Sequence, residues 1–124
     1  MITGIEHTAI ASYDIAALAR FYTDVLGFVI NYQSPNAIFV KAPNGSMLEL
    51  IHAVEDRGTQ TMKTQGIRHL AIAVSGFDAA YGRLKTHNVT FLTEPQESKG
   101  NKVVFFEDPD GNYLHLLFRA NPLP

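Results

Sequence analysis

The sequence predicts an α+β protein built from two βαβββ modules. Three observations carry this reading. The first is an internal repeat. Residues 4–11, GIEHTAIA, recur as GIRHLAIA at 66–73, identical at six of eight positions. Residues 37–51, AIFVKAPNGSMLELI, recur at 103–117 as VVFFEDPDGNYLHLL, with Phe, Pro, Gly and two Leu coincident. Repeats in the same order mark duplicated supersecondary units. The second is alternation: IEHTAIA and IRHLAIAV read as half-buried strands. The third is a helical period after each of those strands. The modules span about 1–54 and 66–120, and the polar stretch EDRGTQTMKTQ joins them within a single domain over 1–124.

In the first module, 5–11 is a strand. Asp14 then caps a helix over 14–27, in which Ile15, Leu18, Ala19, Tyr22 and Leu26 share a face and Gly27 provides the stop. FVINY, AIFVK and SMLELIH follow as strands. APNG makes the turn between the last two, because proline pre-sets φ and Asn-Gly accepts positive φ. The second module repeats the plan: strand 67–74, helix 77–88, strand 89–93, strand 102–107, turn DPDG, strand 112–118. One helix cannot cover both faces of a four-stranded sheet. The open face must meet another sheet, within the chain or across a dimer.

Composition sets outer bounds. The 124 residues are 46% hydrophobic, enough for a core, and the formal net charge is −2. No basic cluster marks a nucleic-acid surface. Without cysteine, disulfides and thiolate metal sites are excluded. No apolar run approaches the roughly 18 residues of a membrane span, and the N-terminus lacks the pattern of a signal peptide. The expectation is a cytoplasmic protein that engages a small molecule, with no nucleic acid and no membrane.

The repeat brings four polar residues into register. His7 corresponds to His69 on the first strands, and Glu49 to His115 on the last strands. If a pseudo-twofold relates the modules, three imidazoles and one carboxylate converge near its axis. That set suits a divalent ion, with Zn, Ni, Mn and Fe as candidates. Three neutral imidazoles and one carboxylate leave the centre one net positive charge, and further coordination positions can take water or substrate. An isolated strand histidine is more often a satisfied core or surface residue. His52, of opposite parity to Glu49, and His87, near a helix end, belong to that ordinary kind.

The segments IEHTAI, ARFYTDVLGF, MLELI, IRHLAIAV and FEDPDGNYLHLL, in this order, resemble the vicinal oxygen chelate superfamily. It includes glyoxalase I, methylmalonyl-CoA epimerase, extradiol dioxygenases, and fosfomycin and bleomycin resistance proteins. The resemblance covers nearly the whole chain. It implies paired βαβββ modules curling into an open, cup-shaped mixed sheet around a metal, and its usual ligand positions fall on His7, Glu49, His69 and His115. It also implies a homodimer, because open sheets in this superfamily usually pack across a twofold.

Departures from the glyoxalase pattern narrow the expected chemistry. There the fourth ligand is usually a glutamate that doubles as the base. Here it is His115, so Glu49 is the candidate catalytic base. The arginine and asparagine often found four residues after the first two ligands are Ala11 and Ala53, which argues against a glutathione-linked substrate. Ala9 and Ala11 share a face with His7, and Ala71 and Ala73 with His69. Phe39 and Phe105 are candidate walls of the substrate pocket, and Arg119 a candidate anchor for an anionic group at its mouth. Three functions follow from the resemblance. The leading one is a metal-dependent lyase or isomerase acting through an enolate-like intermediate on an oxygen-chelating substrate. The second is a non-haem iron dioxygenase of extradiol type, although its carboxylate commonly occupies the fourth position. The third is a metal-free binding or resistance protein, whose members often lack the ligands and carry strongly acidic surfaces.

Overall fold

A computed structural model describes residues 1–124. The chain divides into two compact units, Met1–Arg57 and Gly58–Pro124. The first contains β1 (His7–Ser12), α1 (Ile15–Asp24), β2 (Val29–Ser34), β3 (Ala37–Lys41) and β4 (Met47–His52). Its sheet runs β1-β4-β3-β2. β1 pairs parallel with β4, and the other two pairings are antiparallel. The sheet is therefore mixed, and the β1-to-β2 connection carries the helix.

Local chemistry fixes α1. Ser12 Oγ accepts from the Asp14 N–H at 3.1 Å, and the Asp14 carboxylate accepts from the Ala17 N–H at 2.9 Å. These bonds satisfy donors that a helix start leaves free. The helix stops short of the sequence expectation, at Asp24, and Gly27 at φ 76° carries the chain out of it. Ile15, Leu18, Ala19 and Tyr22 are buried. They cover the sheet face from which Ile38, Val40, Leu48 and Leu50 project, also buried. Strand alternation then sends His7, Ala9 and Ala11 to the other face, where they are exposed.

The second unit contains β5 (His69–Ala73), α2 (Phe77–Thr86), β6 (Thr90–Phe91), β7 (Gln96–Ser98), β8 (Asn101–Glu107) and β9 (Tyr113–Phe118). Its sheet runs β5-β9-β8-β6, with β7 paired to β8. The register repeats that of the first unit. His7 lies opposite Met47 and Ala9 opposite Glu49; His69 lies opposite Tyr113 and Ala71 opposite His115. The α+β class and the paired βαβββ plan expected from the sequence hold.

Three details differ. α2 ends at Thr86, because Asn88 adopts φ 56° and its N–H returns to the Lys85 carbonyl at 3.1 Å. The strand expected over 89–93 is confined to Thr90–Phe91. Past it, the Leu92 N–H still reaches the Phe105 carbonyl at 2.9 Å, but the Phe105 N–H goes to Thr93 Oγ1 at 3.1 Å, so a side chain takes the return half of the next rung. β7 is an added strand, joined to β8 through Lys99 at φ 54° and Gly100 at φ 80°. Two successive positive φ values suit a tight hairpin. No helix is long and apolar enough to cross a membrane.

Candidate metal-binding half-sites

Each unit presents two donors on the sheet face opposite its helix. In the first unit, β1 and β4 are parallel neighbours, so His7 and Glu49 project to the same side. His7 Nε2 lies 3.4 Å from Glu49 Oε1. The other ring nitrogen, Nδ1, is 2.9 Å from Glu6 Oε1. Phe39, opposite Glu49 on β3, meets the His7 ring edge-on at 5.3 Å between centroids. Tyr32 meets Phe39 in the same manner at 6.0 Å.

In the second unit, the His69 and His115 rings lie 4.6 Å apart at 67°. Phe105, opposite His115 on β8, contacts both rings, at 4.7 Å from His115 and 5.5 Å from His69. His115 is 7% exposed. Its Nδ1–H donates to the Leu116 carbonyl at 3.3 Å, which leaves Nε2 as the lone-pair nitrogen. Burial pushes the His115 pKa below the ordinary imidazole value, and the neighbouring His69 and Arg119 push the same way against the Leu116 hydrogen bond. His115 is thus held neutral at pH 7, the form that binds metals.

The donor chemistry fits a divalent ion. Metal bonds of about 2.0–2.2 Å place a nitrogen and an oxygen on one ion roughly 3.0–3.5 Å apart, whereas a charge-assisted hydrogen bond closes to about 2.7–2.9 Å. The His7–Glu49 separation of 3.4 Å falls in the first range. No group of three or more His, Cys, Asp or Glu side chains gathers into a metal-holding cluster. The structure thus brings His7 to Glu49 and His69 to His115 as two pairs.

The remaining residues singled out in the sequence are placed as follows. Ala11 and Ala73 are exposed at the ends of β1 and β5, and Ala53 is half-buried just past β4, its N–H bonded to the Ser12 carbonyl at 2.9 Å. Arg119 is exposed one residue beyond β9. His52 Nε2 lies 3.0 Å from the Pro35 carbonyl, and His87 caps the C-terminus of α2, both away from the paired donors. The residue overlooked in the sequence is Glu6. Its signal was the one charged mismatch in the first repeat, where Glu6 stands against Arg68.

The glyoxalase/bleomycin resistance protein/dioxygenase superfamily model matches residues 4–116, and the chain belongs to that superfamily. Its members act on small molecules and commonly use divalent metals. Among individual proteins, the chain is similar to YaeR of Escherichia coli strain K12, an uncharacterized protein, at 32% identity over 90% of this chain and 93% of that one. It is also similar to the solved structure of oxidase ChaP-H2, with TM-score 0.76 and 32% identity over 96% of this chain and 95% of the other. The mitochondrial methylmalonyl-CoA epimerase of Homo sapiens is 29% identical over 86% of this chain and 67% of its own length.

Proposed function

We propose that the protein is a metal-dependent lyase or isomerase that moves a proton on a carbon next to a carbonyl, through an enolate-like intermediate. His7, Glu49, His69 and His115 are the residues that would hold the ion. A divalent ion bound there supplies a Lewis acid for the substrate's oxygens. Glu49 takes the proton from the carbon and returns it. The observation that carries this reading is the asymmetry of the donors. Glu49 is the one carboxylate of the four and its side chain is 25% exposed, within reach of substrate, while His115 is buried and held neutral. A buried neutral imidazole serves as a ligand rather than as a base. Ala11 and Ala73 each leave room beside the donors of their own unit, Phe39 and Phe105 supply apolar walls, and Ala53 replaces a polar contact for a glutathione moiety. Arg119 meets an anionic end of the substrate.

The likeness to methylmalonyl-CoA epimerase supports proton transfer next to a carbonyl. The likeness to oxidase ChaP-H2 supports a second reading, oxygen chemistry at an iron-loaded site. One experiment separates them. Protein loaded in turn with Zn(II), Ni(II), Mn(II) and Fe(II) is incubated in D2O with a panel of small 2-substituted oxo acids and thioesters. Metal-dependent exchange of the α-proton, abolished by chelator and indifferent to oxygen, is the expected result. Oxygen consumption confined to the Fe(II) form, without exchange, overturns it in favour of the oxidase. Protein that holds no metal and shows neither activity returns the chain to the binding or resistance class.

The chain is proposed to act as a homodimer. Val29, Ile30 and Tyr32 on β2, and Ile5, Val54 and Ile67 outside the strands, are exposed apolar side chains that a second copy can cover. Sedimentation velocity is expected to give a species of twice the chain mass, and a stable monomer at micromolar concentration overturns this.

A further inference from the structure

We infer that Glu6 is a positioning residue that fixes the tautomer and ring direction of His7, so that Nε2 is the nitrogen offered to a metal. The inference rests on the metal reading above. A neutral imidazole carries one proton, and the nitrogen without it is the ligand. At His7 the Glu6 carboxylate lies 2.9 Å from Nδ1. A carboxylate oxygen accepts, so Nδ1–H is the donor. In the neutral ring Nε2 is then the lone pair, and it faces the Glu49 carboxylate at 3.4 Å. Two acceptors converge there, an arrangement that a cation between them stabilises, whether a proton on Nε2 or a metal ion. A carboxylate behind a ligating histidine also raises its basicity and locks its orientation.

Strand alternation would put Glu6 on the face opposite His7. β1 begins at His7, however, and Glu6 precedes it, two residues after Gly4 at φ 149°. Glu6 is therefore free of the alternation, and its carboxylate comes round to its neighbour's ring. The second unit lacks this arrangement. Gly66, at φ 112°, also precedes the strand, but Arg68 occupies the position equivalent to Glu6. A guanidinium has no acceptor. Arg68 instead donates to the Thr61 carbonyl at 3.0 Å and to the Gly66 carbonyl at 3.4 Å, tying down the segment between the units' strands. In that unit the oriented ring is His115, through the Leu116 carbonyl. Each donor pair thus contains one histidine whose Nδ1–H is held, one by a carboxylate and one by the backbone.

The test uses the full chain. In the metal-free wild type, 15N–1H multiple-bond spectra of the imidazoles, with His7 assigned by its absence in His7→Gln, are expected to show the proton on Nδ1. Glu6→Ala is expected to shift His7 toward a mixture of tautomers and to weaken Zn(II) binding, measured against a chromophoric chelator, by about tenfold. Glu6→Gln keeps an acceptor oxygen and is expected to retain the Nδ1–H tautomer and most of the affinity. Because Glu6 is exposed, these changes leave the fold intact, which circular dichroism verifies. A wild type that binds Zn(II) but carries the His7 proton on Nε2 when metal-free overturns the role of Glu6 alone. Glu6→Ala with tautomer and affinity unchanged does the same. A wild type that holds no Zn(II), while His7 is protonated on Nδ1, overturns the metal reading itself and with it any role of Glu6 toward a metal.

Discussion

The two units share a scaffold and differ in the chemistry they hang on it. β1 pairs with β4 in the same register as β5 with β9, and both donor pairs occupy equivalent places. In the first unit the pair is acidic and open: His7 and Glu49 have side chains 35% and 25% exposed, with Glu6 behind. In the second the pair carries no carboxylate, and one member is closed off: His115 is buried against Phe105 and His69, while His69 itself is exposed. A duplicated strand pair fixes where a side chain points, while its burial and neighbours decide what the side chain can do. On the function proposed above, the first half exchanges the proton and the second offers a fixed lone pair.

The largest expected effect breaks this comparison directly. Glu49→Gln keeps an oxygen donor and removes the base. At saturating metal, the α-proton exchange rate is expected to fall by about 10²–10⁴-fold, the usual contribution of general acid–base catalysis. His115→Gln is expected to weaken metal binding and, once metal is saturating, to leave exchange within about tenfold of wild type. If the two variants lose exchange equally at saturating metal, the division of labour between the units is wrong.

A second contrast lies in the hairpins that carry the last strands. In the first unit, the Ala42 N–H bonds to the Ser46 carbonyl at 2.9 Å, Ala42 adds no side-chain bond, and the Ser46 N–H goes to Asn44 Oδ1 at 3.1 Å. In the second, Asp108 occupies the equivalent place. Its carboxylate accepts from the Asp110 and Asn112 N–H groups at 2.9 and 3.0 Å and from the Asn112 side-chain amide at 2.8 Å. Asp108 is 4% exposed, so these bonds are shielded from water. Asp108→Ala is expected to cost roughly 1.5–3 kcal/mol in denaturant unfolding, the range for hydrogen bonds to a charged group. Ala42→Asp tests the converse, since success there requires the new carboxylate to take the Asn44 N–H and to win the Ser46 N–H from Asn44 Oδ1. A loss of less than about 0.5 kcal/mol at Asp108 would mean that the β8–β9 ladder and the backbone turn hold the hairpin without the carboxylate.

These contrasts also show what a sequence reveals. The repeat made the fold legible because matching residues at fixed offsets identified both strand pairs and the parity of His7, Glu49, His69 and His115. Burial of the helix faces was legible too, since Leu18 and Tyr22 follow the 3.6-residue period. β7 was hidden because Gln96–Ser98 is exposed on every residue and offers no apolar alternation. The early end of β6 was hidden because it depends on the Thr93 hydroxyl taking a backbone N–H, a contact between residues twelve apart. Glu6 was hidden because its placement depends on where β1 begins, two residues later than the alternation suggests.

The smallest contrast concerns the helix starts. Asp14 caps α1 with a side-chain bond to the Ala17 N–H, whereas its counterpart Gly76 caps α2 with none. Gly76 lies at φ −127° and ψ 98°, extended backbone that any residue adopts. A Cβ placed there meets Ala79 Cβ at 4.0 Å, an ordinary contact. Gly76→Asp therefore faces no steric barrier, and its carboxylate can accept from the α2 N–H groups that Asp14 satisfies in α1. Glycine is itself a tolerated cap, so the gain is expected to be a few tenths of a kcal/mol in unfolding free energy. Asp78 already places a negative charge in the first turn of α2, and its repulsion of a second carboxylate works against the gain, so Gly76→Ser is the control that keeps the cap without the charge. If the serine variant is stabilised and the aspartate variant is not, charge rather than geometry separates the two helix starts. If neither is stabilised, the α2 start is already satisfied by water, and the difference between the helices lies in their buried faces alone.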